Sequence, residues 1–349
     1  MTTLPADYPY LRPWGLSDHP IERYLALVAN WERSRDTFGL LSQALQDASL
    51  DARVRCIAAA GSLGRMEASE ESDADLIIIL DETVPQDSAE AMRVFESVWK
   101  VLQDSQVSRP KPKGVFSTPC TLNQICDNSL GRADEPLGVF GKRLLLLLET
   151  QPLYRESEYK LIIDGIIKQY ARHYVASDAR KEWTFLMNDL MRYFRALCVN
   201  YQWDFENDPS KWPIRNVKLR HSRLIMYSGL LFLLGEASKE RVDKVSWLRE
   251  RLRLTPLERL GWVYHENRDW NFHRVVGLYN VFLSRINGPD VRKALRSEAT
   301  DPDFYIERSR NELYVELKAN SDGLVAELLR FIFARRDVWS ERFYEYLIF

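Results

Sequence analysis

The sequence predicts an α+β protein, with a small α/β domain over residues 1–134 and a larger all-α helical domain over residues 135–349. Three observations predict it. Two short apolar runs, "VRCIAAAGS" and "ADLIIIL", follow one another within the first third of the chain. Strand signals then fade after about Pro136. Beyond that point apolar residues recur at steps of three and four, over stretches far longer than a strand.

Taken in order, Ile21 to about Leu50 reads as a helix with few breakers. "VRCIAAAGS" reads as a short strand that ends in a tight turn. "ADLIIIL" is a second strand, and its unbroken run from Leu76 to Leu80 suggests burial on both faces. A helical pattern returns from Asp87 or Ser88, either of which suits an N-cap, to about Gln103. "SRPKPKG" is a loop, and "GVFSTPCTL" is expected to be a third strand that Pro119 ends.

In the second part, a helix is expected from Asp178 to Tyr201. Trp183, Leu186, Met187, Leu190, Met191, Phe194, Leu197, Cys198 and Tyr201 form its apolar stripe. Asn188, Arg192 and Arg195 fall on another face. The next helix is expected to start at Pro213, a favoured first helical residue, and to bury Ile214, Val217, Leu224, Ile225, Tyr227, Leu231 and Phe232. Lys211, Arg215 and Lys218 line up on its other side, near Asn216, Arg220 and Arg223. Helices continue to about Leu347, and the domain boundary is placed near Asp134.

The bulk numbers fit a globular chain: 349 residues, 46% hydrophobic and 28% charged. A net charge of −2 excludes a global basic field that would draw the chain to nucleic acid, though not a local patch. Cys56, Cys120, Cys126 and Cys198 make no C-x-x-C and no zinc spacing with histidine. They read as free thiols of a reducing, cytoplasmic setting. The N-terminus shows no signal-peptide pattern, and the run "LLLLLE" is far too short to cross a bilayer, so no membrane is expected.

The chemistry is concentrated in "GSLGRMEASEESDADL". Asp73 and Asp75 lie two apart in an extended segment, so both carboxylates point the same way. Two close acids repel, and a divalent cation removes the penalty. Hard oxygen ligands suit Mg²⁺, which takes one or two carboxylates plus substrate phosphates. Gly61 lets backbone approach a ligand, Ser62 offers a hydroxyl to a phosphate oxygen, and a helix beginning near Leu63 would aim N–H groups at the same anion.

The order strand, Gly-Ser, short helix, Asp-x-Asp, strand resembles the polymerase-β-like nucleotidyltransferase superfamily. The residues Gly61, Ser62, Gly64, Arg65, Glu67, Ser72, Asp73, Asp75 and Leu76 look most like the nucleotidyltransferase domain of PII-protein uridylyltransferases and their uncharacterised relatives. The resemblance covers about sixteen residues. It implies a mixed sheet and transfer of a nucleoside monophosphate from an NTP to an acceptor. In that family pattern Asp73 and Asp75 hold Mg²⁺, or Mn²⁺ in its place, and Gly61 and Ser62 hold the β- and γ-phosphates. Arg65 either contacts phosphate or pairs with Glu67 or another nearby carboxylate. Resemblance tilts the acceptor toward a protein, with an RNA end or a small hydroxylated molecule as alternatives.

Two departures accompany it. The superfamily commonly has a third carboxylate on a later strand, but "GVFSTP" holds none and Ser117 stands where one is expected. None of the five histidines is followed by aspartate, so the His-Asp phosphohydrolase module of the PII enzymes is not expected. A non-catalytic nucleotide sensor or interaction protein that keeps the fold is therefore the alternative.

Elsewhere each sharp reading has a plain counterpart. Arg215 and Lys218 could supply cations to a triphosphate, or be a solvated helix face. His221 falls in register with Val217 and Leu224 and reads as a satisfied core histidine. Trp183 and Trp212 read as packing anchors. The final "RRDVWSERFYEYLIF" reads as a terminal amphipathic helix, or as a contact in a homo-oligomer if its apolar end is exposed.

Overall fold

A computed structural model describes residues 24–70, 72–85, 87–105, 107–109, 114–126, 135–177, 181–207, 209–239, 243–295 and 309–348. The N-terminal stretch, "SRPKPKG" in large part, and Asp134 lie outside the described residues. The protein is α+β, with one small mixed sheet and a majority of helix.

The sheet contains β1 (Val54–Ala59), β2 (Leu76–Leu80), β3 (Cys120–Thr121) and β4 (Gln151–Tyr154), in the order β3-β2-β1-β4. β1 pairs antiparallel with both β2 and β4, and β2 pairs parallel with β3. The central strands are aliphatic because both faces are covered. Every residue of β2 is buried. Leu76, Ile78 and Leu80 join Val54, Ile57 and Ala59 in a cluster. That cluster includes Phe38, Leu41 and Leu45 of α1 (Leu25–Asp47) and Val94, Phe95 and Val98 of α3 (Ala89–Val101). Ile77, Ile79, Cys56 and Ala58 are equally buried and fall outside that cluster, by strand alternation and by a register shift between Val54 and Cys56. Ser88 caps α3, its side chain accepting the Ala91 N–H.

Three expectations need correction here. The third strand does not run through "GVFSTP": residues 114–118 form turns and bends, and pairing begins only after Pro119. Proline cannot donate to a ladder, so it stands before the first paired residue of an edge strand instead of ending one. Strand signals also do not end at Pro136. "QPLY" supplies β4 on the edge of β1, a strand too short and too proline-marked to stand out.

That strand moves the division of the chain. One compact unit takes Asn30–Asp189 and Glu240–Thr255, and the other takes Leu190–Lys239 and Pro256–Phe349 together with the start of α1. The break does not fall at Asp134, because β4 ties the following helices to the sheet. Between β3 and β4 lie α4 (Leu122–Ile125) and α5 (Leu137–Leu148), and α6 (Glu156–Ser177) follows β4 and packs on β1.

The helix expected from Asp178 to Tyr201 is α7 (Thr184–Asn207), which starts later and runs further. Trp183, Leu186, Met187 and Leu190 are buried, whereas Met191 to Tyr201 of the stripe are only half-buried. In the second unit, α8 (Trp212–Lys218) has proline at its start, as expected. It passes through one π-helical turn, Leu219–Arg223, into α9 (Leu224–Ala237). Val217, Ile225, Leu231 and Phe232 are buried, while Ile214, Leu224 and Tyr227 are intermediate.

The helices α11 (Pro256–Glu266), α12 (Phe272–Ile286) and α14 (Glu312–Phe333) join α9 in one cluster of rings, formed by Phe232, Tyr264, Phe272 and Phe331. Phe331 packs 5.1 Å from Phe232 and 4.0 Å from Tyr264. The shorter α10 (Lys244–Leu252) belongs to the first unit, and α13 (Pro289–Ala294) and α15 (Glu341–Ile348) to the second. Among the described residues no helix is long and apolar enough to cross a membrane.

Candidate functional site

The turn after β1 is a short helix, α2 (Gly61–Gly64), beginning at Gly61 and not at Leu63. Gly61 has φ +61°, a left-handed conformation that glycine adopts without strain. The helix is closed by paired bonds: Met66 N–H donates to Leu63 at 3.1 Å, and Glu67 N–H donates to Ser62 at 2.8 Å. This is the Schellman pattern, with Met66 (φ 62°) in the left-handed position that glycine usually takes. Buried groups of α1 hold the chain beyond it. Asn30 donates to the Glu67 carbonyl at 3.3 Å, and the Ser34 hydroxyl accepts the Ala68 N–H at 2.8 Å.

Both glycines are required by close approach. A Cβ on Gly61 would lie 2.2 Å from Asp75 Oδ2. A Cβ on Gly64 would lie 2.4 Å from the Glu149 carbonyl oxygen and 2.5 Å from that of Ala59. The carboxylate of Asp75 therefore lies against the bare Cα of Gly61. The turn and the acidic pair, fourteen positions apart in sequence, form one place at the end of the β1–β2 hairpin.

The Asp-x-Asp segment is extended. Ala60 N–H donates to the Asp75 carbonyl at 2.8 Å, Ala74 N–H donates to Ser108 at 2.9 Å, and Asp73 pairs with Ser108 in a parallel bridge. Side chains alternate accordingly. Ala74 is buried in the core, while Asp73 is exposed and Asp75 is half-buried on the other side. Ser62 is also half-buried.

Arg65 resolves the two readings left open for it. Its side chain is buried, donates through Nε to Glu67 at 2.8 Å, and meets Glu149 through Nη1. It is the ion-paired arginine of the pair of alternatives, and its guanidinium is engaged by protein carboxylates, not offered as a phosphate contact.

Glu149 is the residue the sequence reading missed. It stands at the C-terminal end of α5, one residue before the turn into β4, with its side chain fully enclosed. Oε2 faces Arg65, and Oε1 accepts the Gly61 N–H at 3.1 Å. The first N–H of α2, expected to point at a bound anion, is thus already occupied by an internal carboxylate. What signal existed was an acid set directly after five leucines in "LLLLLE", where a charge would be buried and would need a partner.

Among the described residues no group of three or more His, Cys, Asp or Glu side chains is arranged to hold a metal ion. The strand beside β2 brings Cys120 opposite Ile79 and Thr121 opposite Leu80, and Ser117 is half-buried in a bend, donating to the Gly114 carbonyl. Burial raises the Cys120 thiol to about 11. Asp73 and Asp75 therefore offer two hard carboxylates, with no third acid grouped with them among the described residues. That set suits a divalent cation whose remaining ligands come from substrate phosphates and water.

Arg215 and Lys218 lie half-buried on α8 in the second unit. Lys211 precedes that helix, and Arg220 pairs with Asp322 and donates to Ser321 at 2.7 Å. His221 is the satisfied core residue expected. Its Nδ1 lies 2.8 Å from the Val217 carbonyl, its Nε2 lies 2.9 Å from the Asn320 side chain, and its ring stacks on Phe282 at 4.3 Å. Burial holds it below its usual value, against the pull of those two hydrogen bonds.

No protein-family model matches the chain, and no curated protein matches it.

Proposed function

We propose that this protein is a Mg²⁺-dependent nucleotidyltransferase. It moves a nucleoside monophosphate from a nucleoside triphosphate to an acceptor and releases pyrophosphate. The observation that carries the reading is the packing of the Asp75 carboxylate against Gly61, which joins the Gly-Ser turn and the Asp-x-Asp pair into one site.

Asp73 and Asp75 are the residues that would hold the cation. Bound there, Mg²⁺ would neutralise the triphosphate and the charge that develops on it. Ser62 presents its hydroxyl to the β- or γ-phosphate. Gly61 serves by lacking a Cβ, which keeps the turn close to Asp75, and not by donating its N–H. In the transfer, an acceptor hydroxyl releases its proton to water as its oxygen bonds to the α-phosphorus, the bond to the bridging oxygen of the β-phosphate breaks, and pyrophosphate leaves with that electron pair. The acceptor is a protein side chain in preference to an RNA end or a small alcohol. An NTP substrate, and four cysteines all present as free thiols, fit a cytoplasmic setting.

The test is incubation with each labelled NTP and Mg²⁺, with and without cell lysate. A labelled product or pyrophosphate should form, and Asp73→Ala with Asp75→Ala should reduce it by about 10²-fold or more, the scale for removing direct charge stabilisation. Nucleotide binding without turnover for all four bases would favour the non-catalytic sensor, a reading that the two-acid site also supports.

A further inference from the structure

We propose that Glu149 is a positioning residue for this nucleotide site, acting through Gly61. The proposal rests on the nucleotidyltransferase reading and deepens it. Glu149 touches neither proposed cation nor substrate. Its carboxylate is fully enclosed and divides its two oxygens between Arg65 and the Gly61 N–H. Its own carbonyl oxygen is one of the two atoms that exclude a side chain at Gly64. One residue thus contacts both ends of the four-residue helix that carries Ser62.

The direction of the Gly61 N–H decides between two roles. A donor aimed at bound phosphate would open toward solvent, as Asp73 does. Here it points at a carboxylate with no exposed surface, itself paired with an arginine that is nearly as enclosed. A phosphate could reach this donor only by displacing a buried ion pair, which is costly. The bond therefore belongs to the scaffold. It fixes the left-handed turn at Gly61, and that turn is what seats the Asp75 carboxylate. Arg65 completes the arrangement by holding Glu149 with one edge of its guanidinium and Glu67 with another. Glu67 in turn closes the far end of the helix through its N–H bond to Ser62.

Loss of such a supporting partner typically costs about 10- to 100-fold in metal affinity or activity.

The experiment measures Mg²⁺-dependent binding of the four NTPs, with thermal midpoints, for wild type, Glu149→Ala, Glu149→Gln and a core control, Phe95→Leu. Phe95 is buried on α3 in the hydrophobic cluster that also holds Leu63 and Ala74, and it takes no part in the polar contacts of Glu149, Arg65 and Gly61. Glu149→Ala should weaken binding by about tenfold or more among molecules that remain folded. Glu149→Gln keeps an oxygen for the Gly61 N–H and should recover part of that loss. Phe95→Leu should lower the midpoint and leave the affinity of the folded protein unchanged. If wild type binds and both Glu149 variants bind equally well, the positioning role is overturned while the nucleotidyltransferase reading stands. If the control loses affinity in proportion to its lost stability, as the Glu149 variants do, the role is merely structural and the proposal also falls. If wild type binds none of the four NTPs, the functional reading itself fails and this one goes with it.

Discussion

The polar groups around Gly61 in the first unit and around His221 in the second are satisfied to different degrees, and the difference separates scaffold from site. His221 is wholly buried, both ring nitrogens have partners, and an aromatic ring covers one face. Around Gly61 there are two layers. Arg65, Glu67 and Glu149 are closed on one another in the interior. Of the remaining motif residues, Asp73 is exposed and Asp75 and Ser62 are half-buried. A buried polar group must be satisfied within the fold because water cannot do it. An exposed carboxylate such as Asp73 keeps its ligand capacity. The comparison teaches that the motif contains a closed support and an open edge, and that spacing in sequence does not tell them apart.

The closed layer should break hardest. Arg65→Met leaves two enclosed carboxylates without their shared cation. It should cost about 3–5 kcal/mol, the range for stranding a buried charge. Chemical denaturation monitored by tryptophan fluorescence measures it. Arg65→Lys should recover only part, since an ammonium cannot match a planar fork to two carboxylates. Should Arg65→Met be nearly neutral, the interior pairing is not what holds the turn.

Next in size is the backbone. Gly64→Ala forces a methyl against two carbonyl oxygens, and Gly61→Ala combines a clash with Asp75 with a left-handed φ. Each should lose about 1–3 kcal/mol by the same denaturation measurement. The two should differ in function. Gly61→Ala pushes on the proposed cation ligand and should reduce Mg²⁺·NTP affinity beyond its stability loss, whereas Gly64→Ala pushes on the scaffold. Equal ratios of affinity loss to stability loss would erase that distinction.

The second region gives a smaller effect with a pH signature. Burial depresses the folded pKa of His221 below the unfolded value of 6.5. The unfolded chain then binds more protons between the folded pKa and 6.5, so stability rises with pH through that window. The contribution is fully present above 6.5 and is lost as pH falls toward the folded pKa. His221→Gln should cost about 1–2 kcal/mol at pH 7.5, from imperfect replacement of two buried hydrogen bonds. It should also flatten the fall in thermal midpoint between pH 7 and 5. An unchanged slope would mean that other groups carry the acid sensitivity.

How much of this could be read from the chain follows the same division. β2 was legible because five consecutive aliphatic residues need burial on both faces, and they have it. Ser88, one of the two caps named, was legible because it bonds three residues ahead, and the burial of His221 was legible because it shares a helix face with Val217, whereas its partners Asn320 and Phe282 were not. β3 and β4 were misjudged because two- and four-residue strands have too few positions to show a period, and prolines stand in or beside both. The boundary at Asp134 failed for that reason: β4 returns to β1 from about ninety residues away, and local composition carries no trace of it. At the site, Gly61, Asp73 and Asp75 were visible as a local pattern. Glu149 was not, since its partners Arg65 and Gly61 lie 84 and 88 positions earlier.

The smallest effect on stability is the most informative about the open edge. Asp73 is exposed, and no side-chain bond holds it among the described residues. Asp73→Asn should therefore leave the thermal midpoint in chelator within about 0.5 kcal/mol of wild type, as surface substitutions do. Its effect should appear only when a ligand is added. A cation that binds the folded chain alone raises stability by RT ln(1 + [L]/Kd), so millimolar Mg²⁺ or Mn²⁺ with an NTP should raise the wild-type midpoint. Asp73→Asn replaces one charged ligand with a neutral one and should lose most of that rise while keeping its baseline. A midpoint that rises equally in both proteins would put the cation elsewhere. A baseline that falls with Asp73→Asn would make the residue part of the closed layer, and the division between support and open edge would have to be redrawn at Asp75.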